Sequence, residues 1–140
     1  MLESGRYDWS DDVSLNIPHE DLIIYKLHVR GYTKNRFSKV SDKGTFKALA
    51  AKIPYIKELG VTAVELMPAY EFVNSGANTN FWGYDRGFYM APRGAYSASY
   101  GKHGDYTYEF RDTIKQFHKN GIEVYMEMFF PQEPIPFLLY

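Results

Sequence analysis

The chain has 140 residues, of which 45% are apolar and 18% aromatic, enough to build a packed core and too apolar for a disordered or fibrous polypeptide. Sixteen Lys and Arg against seventeen Asp and Glu leave a net charge of −1, so no cationic excess draws the chain to a phosphate backbone or an anionic membrane face, and nucleic acid is not an expected partner. The absence of cysteine excludes a disulfide framework, a thiolate nucleophile and Cys-ligated zinc or iron–sulfur sites, and no apolar run approaches the roughly 18 residues of a membrane span.

Met1 to Glu20 is polar and without periodicity, and reads as a connecting segment. Its start, Met1 to Ser10, is acidic and aromatic rather than basic then apolar, so the expectation is a soluble, cytoplasmic chain. Leu22 to Val29 (LIIYKLHV) is a β-branched and aromatic run after Pro18 and predicts the first strand. Lys34, Arg36, Lys39 and Lys43 then form a basic loop that reads as a solvated face.

Phe46, Leu49, Ala50, Ile53, Ile56 and Leu59 recur at three- and four-residue steps and predict an amphipathic helix, N-capped by Thr45 and ended by Gly60. Pro54 is expected either to kink that helix or to restart it as a second piece. Val61 to Met67, closed by Pro68, predicts the second strand. Phe110, Ile114 and Phe117 predict a helix from about Asp105 or Tyr106 to Asn120-Gly121, and Glu123 to Phe130, closed by Pro131, predicts the third strand. Strand and helix alternate, the pattern of a parallel sheet with crossover helices.

Tyr70 to Gly104 breaks that pattern, because about 35 residues without clear periodicity far exceed a usual strand-to-helix connection. The stretch carries Asn74, Asn78, Asn80, Phe81, Trp82, Tyr84, Tyr89, Tyr96 and Tyr100. Flat aromatic faces mixed with amides suit sugar binding, since a pyranose offers an apolar face for stacking and a rim of hydroxyls for polar contacts. For any one of these aromatics, packing the loop onto the domain is the alternative. Among the other candidates, His19, His28, His103 and His118 lack the spacing of a zinc site, and Gly101-Lys-His-Gly104 lacks that of a phosphate loop. His28, inside the first predicted strand, is expected to be a hydrogen-bonded structural residue or a support for the site.

Leu59-Gly-Val-Thr-Ala-Val-Glu-Leu-Met-Pro68, followed by Phe81-Trp-Gly-Tyr-Asp85 and Phe88-Tyr-Met-Ala-Pro92, resembles the alpha-amylase superfamily of glycoside hydrolases, in its pullulanase, isoamylase and glycogen-debranching branch. Tyr25 to Tyr32 is similar to that group's first barrel strand, and Gly121 to Glu127 falls where its third lies. The resemblance implies an α/β chain forming part of a (β/α)8 TIM barrel, a fold of about 250 residues: the first three strands, two crossover helices and a long loop after strand two. Residues 1–20 would then be a linker and 21–140 the N-terminal portion of the catalytic barrel.

It also implies an α-glucan partner and a reaction, hydrolysis of α-glucosidic and chiefly α-1,6 bonds, that needs two carboxylates about 5 to 5.5 Å apart. The family supplies these, and a third that clamps the sugar, from strands four, five and seven, so no residue of this chain inherits a catalytic role. The chain alone is expected to be inactive and to need the rest of its barrel, or to self-associate. Tyr84 matches the family's sugar-stacking aromatic, with Trp82 and Asp85 flanking it. Glu127, Pro131 and Gln132 stand where family members carry Asp, Asn and His, residues that hold the sugar and in some branches calcium. The substrate-binding candidates are therefore Tyr84, Trp82, Asp85 and Glu127, with no metal ligand and no cofactor assigned. The rival reading is a non-catalytic α-glucan-binding or scaffold polypeptide.

Overall fold

The structure, a computed structural model, describes residues 7–73, 80–101 and 106–130. Asn74, Asn78, His103, Pro131 and Gln132 lie outside the described residues.

Three short strands, β1 (Ile24–Leu27), β2 (Ala63–Leu66) and β5 (Glu123–Met126), form a parallel sheet in the order β1-β2-β5. In register, Lys26 lies beside Glu65 and Glu65 beside Tyr125, while Leu27, Leu66 and Met126 align in the next row. Alternation along a strand sends successive side chains to opposite faces. Leu27, Val64 and Leu66 are buried in the core with Phe46, Leu49, Ile53, Ile56, Phe117 and Ile122. Each such side chain gives about 1.5–3 kcal/mol on full burial.

The crossovers form where local chemistry directs them. Thr45 accepts a hydrogen bond from Ala48 N at 3.2 Å and caps α2 (Phe46–Ala50). A new helix, α3 (Ile53–Glu58), carries Pro54 in its first turn, so the proline restarts the helix instead of kinking it. Gly60, at φ 79°, ends α3 in the left-handed conformation that glycine adopts without strain. The second crossover is α4 (Tyr106–Lys119), as expected from its period.

Three expectations are corrected. The first strand ends at Leu27, and His28 is the N-cap of a six-residue helix, α1 (Val29–Lys34). Lys34 therefore belongs to a helix, and Arg36 to a 3-10 turn (Arg36–Ser38). The third strand stops at Met126, four residues short of Phe130. The long segment after β2 is not a plain loop: β3 (Tyr70–Phe72) pairs antiparallel with β4 (Gly87–Pro92), and a 3-10 turn follows at Gly94–Tyr96.

The irregular segment before β1 lies along α4. Lys115 and Lys119 pair with Asp11, His118 Nδ1 stands 2.8 Å from Asp12 Oδ1, and Ile17 N donates to Glu123 at 2.9 Å. The two lysines hold the Asp11 carboxyl well below the usual carboxylate range, although exposed pairs of this kind contribute little to stability.

Candidate functional site

On a parallel sheet, ligand sites form at the C-terminal ends of the strands, where the loops converge. Here that end is occupied by Glu127, directly after β5, whose backbone N–H donates to Leu66 O at 2.9 Å. The Tyr84 hydroxyl donates to the Glu127 carboxylate, at 3.0 Å from Oε2 and 3.2 Å from Oε1. Lys26 Nζ reaches the same carboxylate at 2.9 Å and Glu65 Oε1 at 3.3 Å. The structure thus joins two of the four predicted site residues and adds two that sequence reasoning passed over.

A signal for Lys26 and Glu65 was present: each is a lone charge in an otherwise apolar strand. Strands of a parallel sheet covered on both faces read as continuous apolar runs, so a single charge there marks a face turned toward something polar. The Lys26 ammonium has its pKa raised above the ordinary lysine value, chiefly by the hydrogen bond to Glu127. The Tyr84 phenol is also shifted up, first by desolvation and then by the bond to Glu127.

The loop that carries Tyr84 is pinned from below. The buried Tyr70 hydroxyl donates to Asp85 O at 2.8 Å, with the carbonyls of Gly83 and Phe129 at 3.3 and 3.4 Å. Tyr89 OH donates to Phe129 O at 3.0 Å, and the Tyr84 ring meets Phe129 edge-on at 5.9 Å. Tyr84 keeps 38% of its surface exposed and Trp82 keeps 55%, so each retains surface that a ligand could cover.

Trp82 and Asp85 sit differently. The Trp82 indole lies edge-on to Phe81 at 5.2 Å and to His28 at 6.1 Å, on the α1 side of the loop. Asp85 Oδ1 accepts from Arg86 N at 2.8 Å, and the contact that ties Asp85 to Tyr70 is its backbone carbonyl. His28 is buried and fully used: Nδ1 accepts from Gly31 N at 2.9 Å, which leaves the proton on Nε2 to donate to Phe81 O at 2.7 Å. Its ring stacks on Phe81 at 4.4 Å, and desolvation lowers its pKa, favouring the neutral form. His28 is therefore a structural clamp between α1 and the aromatic loop.

Among the described residues, no group of three His, Asp or Glu is arranged to hold a metal ion, and no helix is long and apolar enough to cross a membrane.

No protein-family model matches the chain. Sequence relatives do. Chloroplastic isoamylase 1 of Oryza sativa subsp. japonica is 39% identical over 136 residues, a match that covers 92% of this chain and 17% of the isoamylase. The glycogen operon protein GlgX homolog of Haemophilus influenzae is 36% identical over 138 residues, covering 93% of this chain and 20% of that protein. Its homologues are debranching glycoside hydrolases.

Solved structures agree with this debranching-enzyme kinship. Pullulanase of Anoxybacillus sp. LM18-11, complexed with maltotetraose, superposes with a TM-score of 0.70 at 32% identity over 82% of this chain and 19% of the pullulanase. Pullulanase type I of Bacillus subtilis str. 168, complexed with maltose, gives 0.68 at 28% identity over 77% of this chain and 17% of that one. The chain thus spans about a fifth or less of the length of these debranching enzymes. The α/β architecture with a parallel sheet and helices is shared with them.

Proposed function

We propose that residues 21–140 form the first part of a (β/α)8 barrel in an α-glucan debranching hydrolase, and that Tyr84, held by Glu127 and Lys26, is its sugar-stacking platform. The observation that carries this reading is the Tyr84–Glu127–Lys26 contact at the C-terminal end of a parallel sheet. An aromatic face beside a carboxylate matches the two surfaces of a pyranose. Maltose and maltotetraose are the sugars found with the related pullulanases, and α-glucan is the partner proposed here.

Maltotetraose titration of the chain, followed by tryptophan fluorescence, tests the platform. Loss of one aromatic contact costs about 1 kcal/mol beyond buried area, so Tyr84→Ala is expected to weaken binding by roughly fivefold. Unchanged affinity in that variant removes Tyr84 from the site.

Lys26 stands between Glu65 and Glu127, 3.3 and 2.9 Å from them, so the two carboxylates are paired with one ammonium and hold the platform under either reading, the hydrolase fragment or the non-catalytic binding scaffold.

We also propose that the chain self-associates through its sheet. Among the described residues β1 and β5 are the edges of the sheet, and Ile23, Ile24, Tyr125, Met128, Phe129 and Phe130 are exposed on or next to them. Unpaired edge strands flanked by apolar side chains are templates for a further strand. Light scattering at micromolar concentration is expected to show species larger than the 16.3 kDa monomer; a compact monomer throughout overturns the proposal.

A further inference from the structure

On the α1 side of the aromatic loop lies a cavity of about 270 Å³, separate from the Tyr84–Glu127 contact. Arg30, Phe72, Asn80, Phe81, Arg93 and Tyr96 line it. The polar groups around it are committed in a one-sided way. Arg93 is buried, and its Nη1 donates to Glu71 Oε1 and Phe72 O, both at 3.0 Å, while its guanidinium lies 3.6 Å over the Phe72 ring. The other oxygen of Glu71 is taken by Gly94 N at 2.9 Å. Among the described residues, Glu71 is the carboxylate in contact with the cavity wall, and it is thus already paired.

Donors remain. Arg93 Nε and Nη2 have no partner among the described residues, and Arg30 makes no hydrogen bond or ion pair there. Asn80 Oδ1 accepts from Gly83 N at 2.9 Å, which leaves the amide N–H groups to donate. His28, behind Phe81, has its single N–H spent on a carbonyl. Two arginines and an asparagine therefore line one space, beside which, among the described residues, the single acid is already paired, and Phe72, Phe81, Ala95 and Tyr96 form the remaining walls. Unspent donors and net positive charge call for a ligand that brings acceptors and negative charge. Arginine's planar fork fits a tetrahedral oxyanion, which offers several oxygens to it at once.

We propose that this cavity is a phosphate monoester site, serving a phosphate carried on a sugar. Phe81 links it to the exposed Trp82 indole, because one ring both lines the cavity and packs on Trp82 at 5.2 Å. A sugar lying on Trp82 could reach the arginines with a phosphate substituent. The inference rests on the glucan reading for the sugar, but not for the anion.

Titrations of the full chain with glucose, glucose 6-phosphate, inorganic phosphate and maltotetraose, followed by tryptophan fluorescence and by chemical-shift changes, separate the possibilities. Glucose 6-phosphate is expected to bind at least tenfold more tightly than glucose, and inorganic phosphate to compete with it. Arg30→Gln is expected to abolish that preference and Arg30→Lys to restore part of it. Arg111→Gln, on α4 and away from the cavity, is expected to leave it intact. Maltotetraose affinity is expected to be unaffected by Arg30→Gln. Equal affinity for glucose and glucose 6-phosphate, or a preference that survives Arg30→Gln, overturns the proposal. Arg30-dependent phosphate binding without any maltotetraose binding keeps the anion site and defeats the glucan reading instead. Tight inorganic phosphate with no added contribution from the sugar identifies the ligand as free phosphate and overturns the sugar-borne source.

Discussion

Phe46→Ala is expected to lower the stability of the chain by about 3–5 kcal/mol, the usual cost of removing a buried aromatic ring and leaving a cavity. Phe46 is completely buried at the start of α2. Its ring packs on Phe110 of α4 at 4.9 Å and on Tyr96, beyond β4, at 6.1 Å. Three separate stretches of chain thus converge on one side chain, and little can collapse to refill the space because each neighbour is held by its own element. Against a typical total of about 5–15 kcal/mol, such a loss takes about a fifth or more of the stability. Urea unfolding checks it: the midpoint is expected to fall by about 1 M or more. Phe37→Ala is the comparison, since Phe37 is 72% exposed and its removal is expected to stay within about 0.5 kcal/mol. Equal midpoints for the two variants would contradict the packing described.

Gly87→Ala is expected to break the β3–β4 pair. Gly87 lies opposite Phe72, and a Cβ there would stand 2.2 Å from Glu71 O and 2.7 Å from Phe72 Cα. Both are backbone atoms, so no rotamer change relieves the clash. Overpacking of this kind costs about 1–3 kcal/mol and sometimes more. The consequence reaches the site, because the β3–β4 pair carries Tyr70 and Tyr89 and encloses the Phe81–Asp85 stretch. Once the strands separate, Tyr70 no longer holds Asp85 O, and Tyr84 loses its fixed position over Glu127. Near-UV circular dichroism is expected to lose tyrosine and tryptophan signal while the far-UV helical signal of α2, α3 and α4 persists, and maltotetraose binding is expected to fall with it. Retention of the near-UV spectrum and of binding would show that the strands tolerate a side chain at this position.

The helices were legible because their signals are local. Thr45 finds Ala48 N by starting a helix, Pro54 either kinks a helix or begins one and here begins one, and Gly60 turns out of one without strain. The strands were legible as runs but not in extent. Leu22 to Val29 is β-prone throughout, yet only Ile24 to Leu27 finds a partner in β2. Past Leu27 the His28 ring is drawn under Phe81 and caps α1, a contact between residues 53 apart that no local preference encodes. The β3–β4 pair escaped for a related reason: three residues meet six across a separation of 14 residues, with no short hairpin turn to announce them.

By itself, then, the sequence determined the three parallel strands as runs, the crossover helices between them and the motif that includes Tyr84, because capping, proline geometry and periodicity act over a few residues. Only the tertiary structure decided which charges meet. Glu127 lies 43 residues beyond Tyr84, and Lys26 reaches both Glu65 and Glu127 only because parallel pairing sets Lys26, Glu65 and Tyr125 in one row. Register across a sheet is fixed by the packing of its buried face, and the polar face takes its neighbours from that choice.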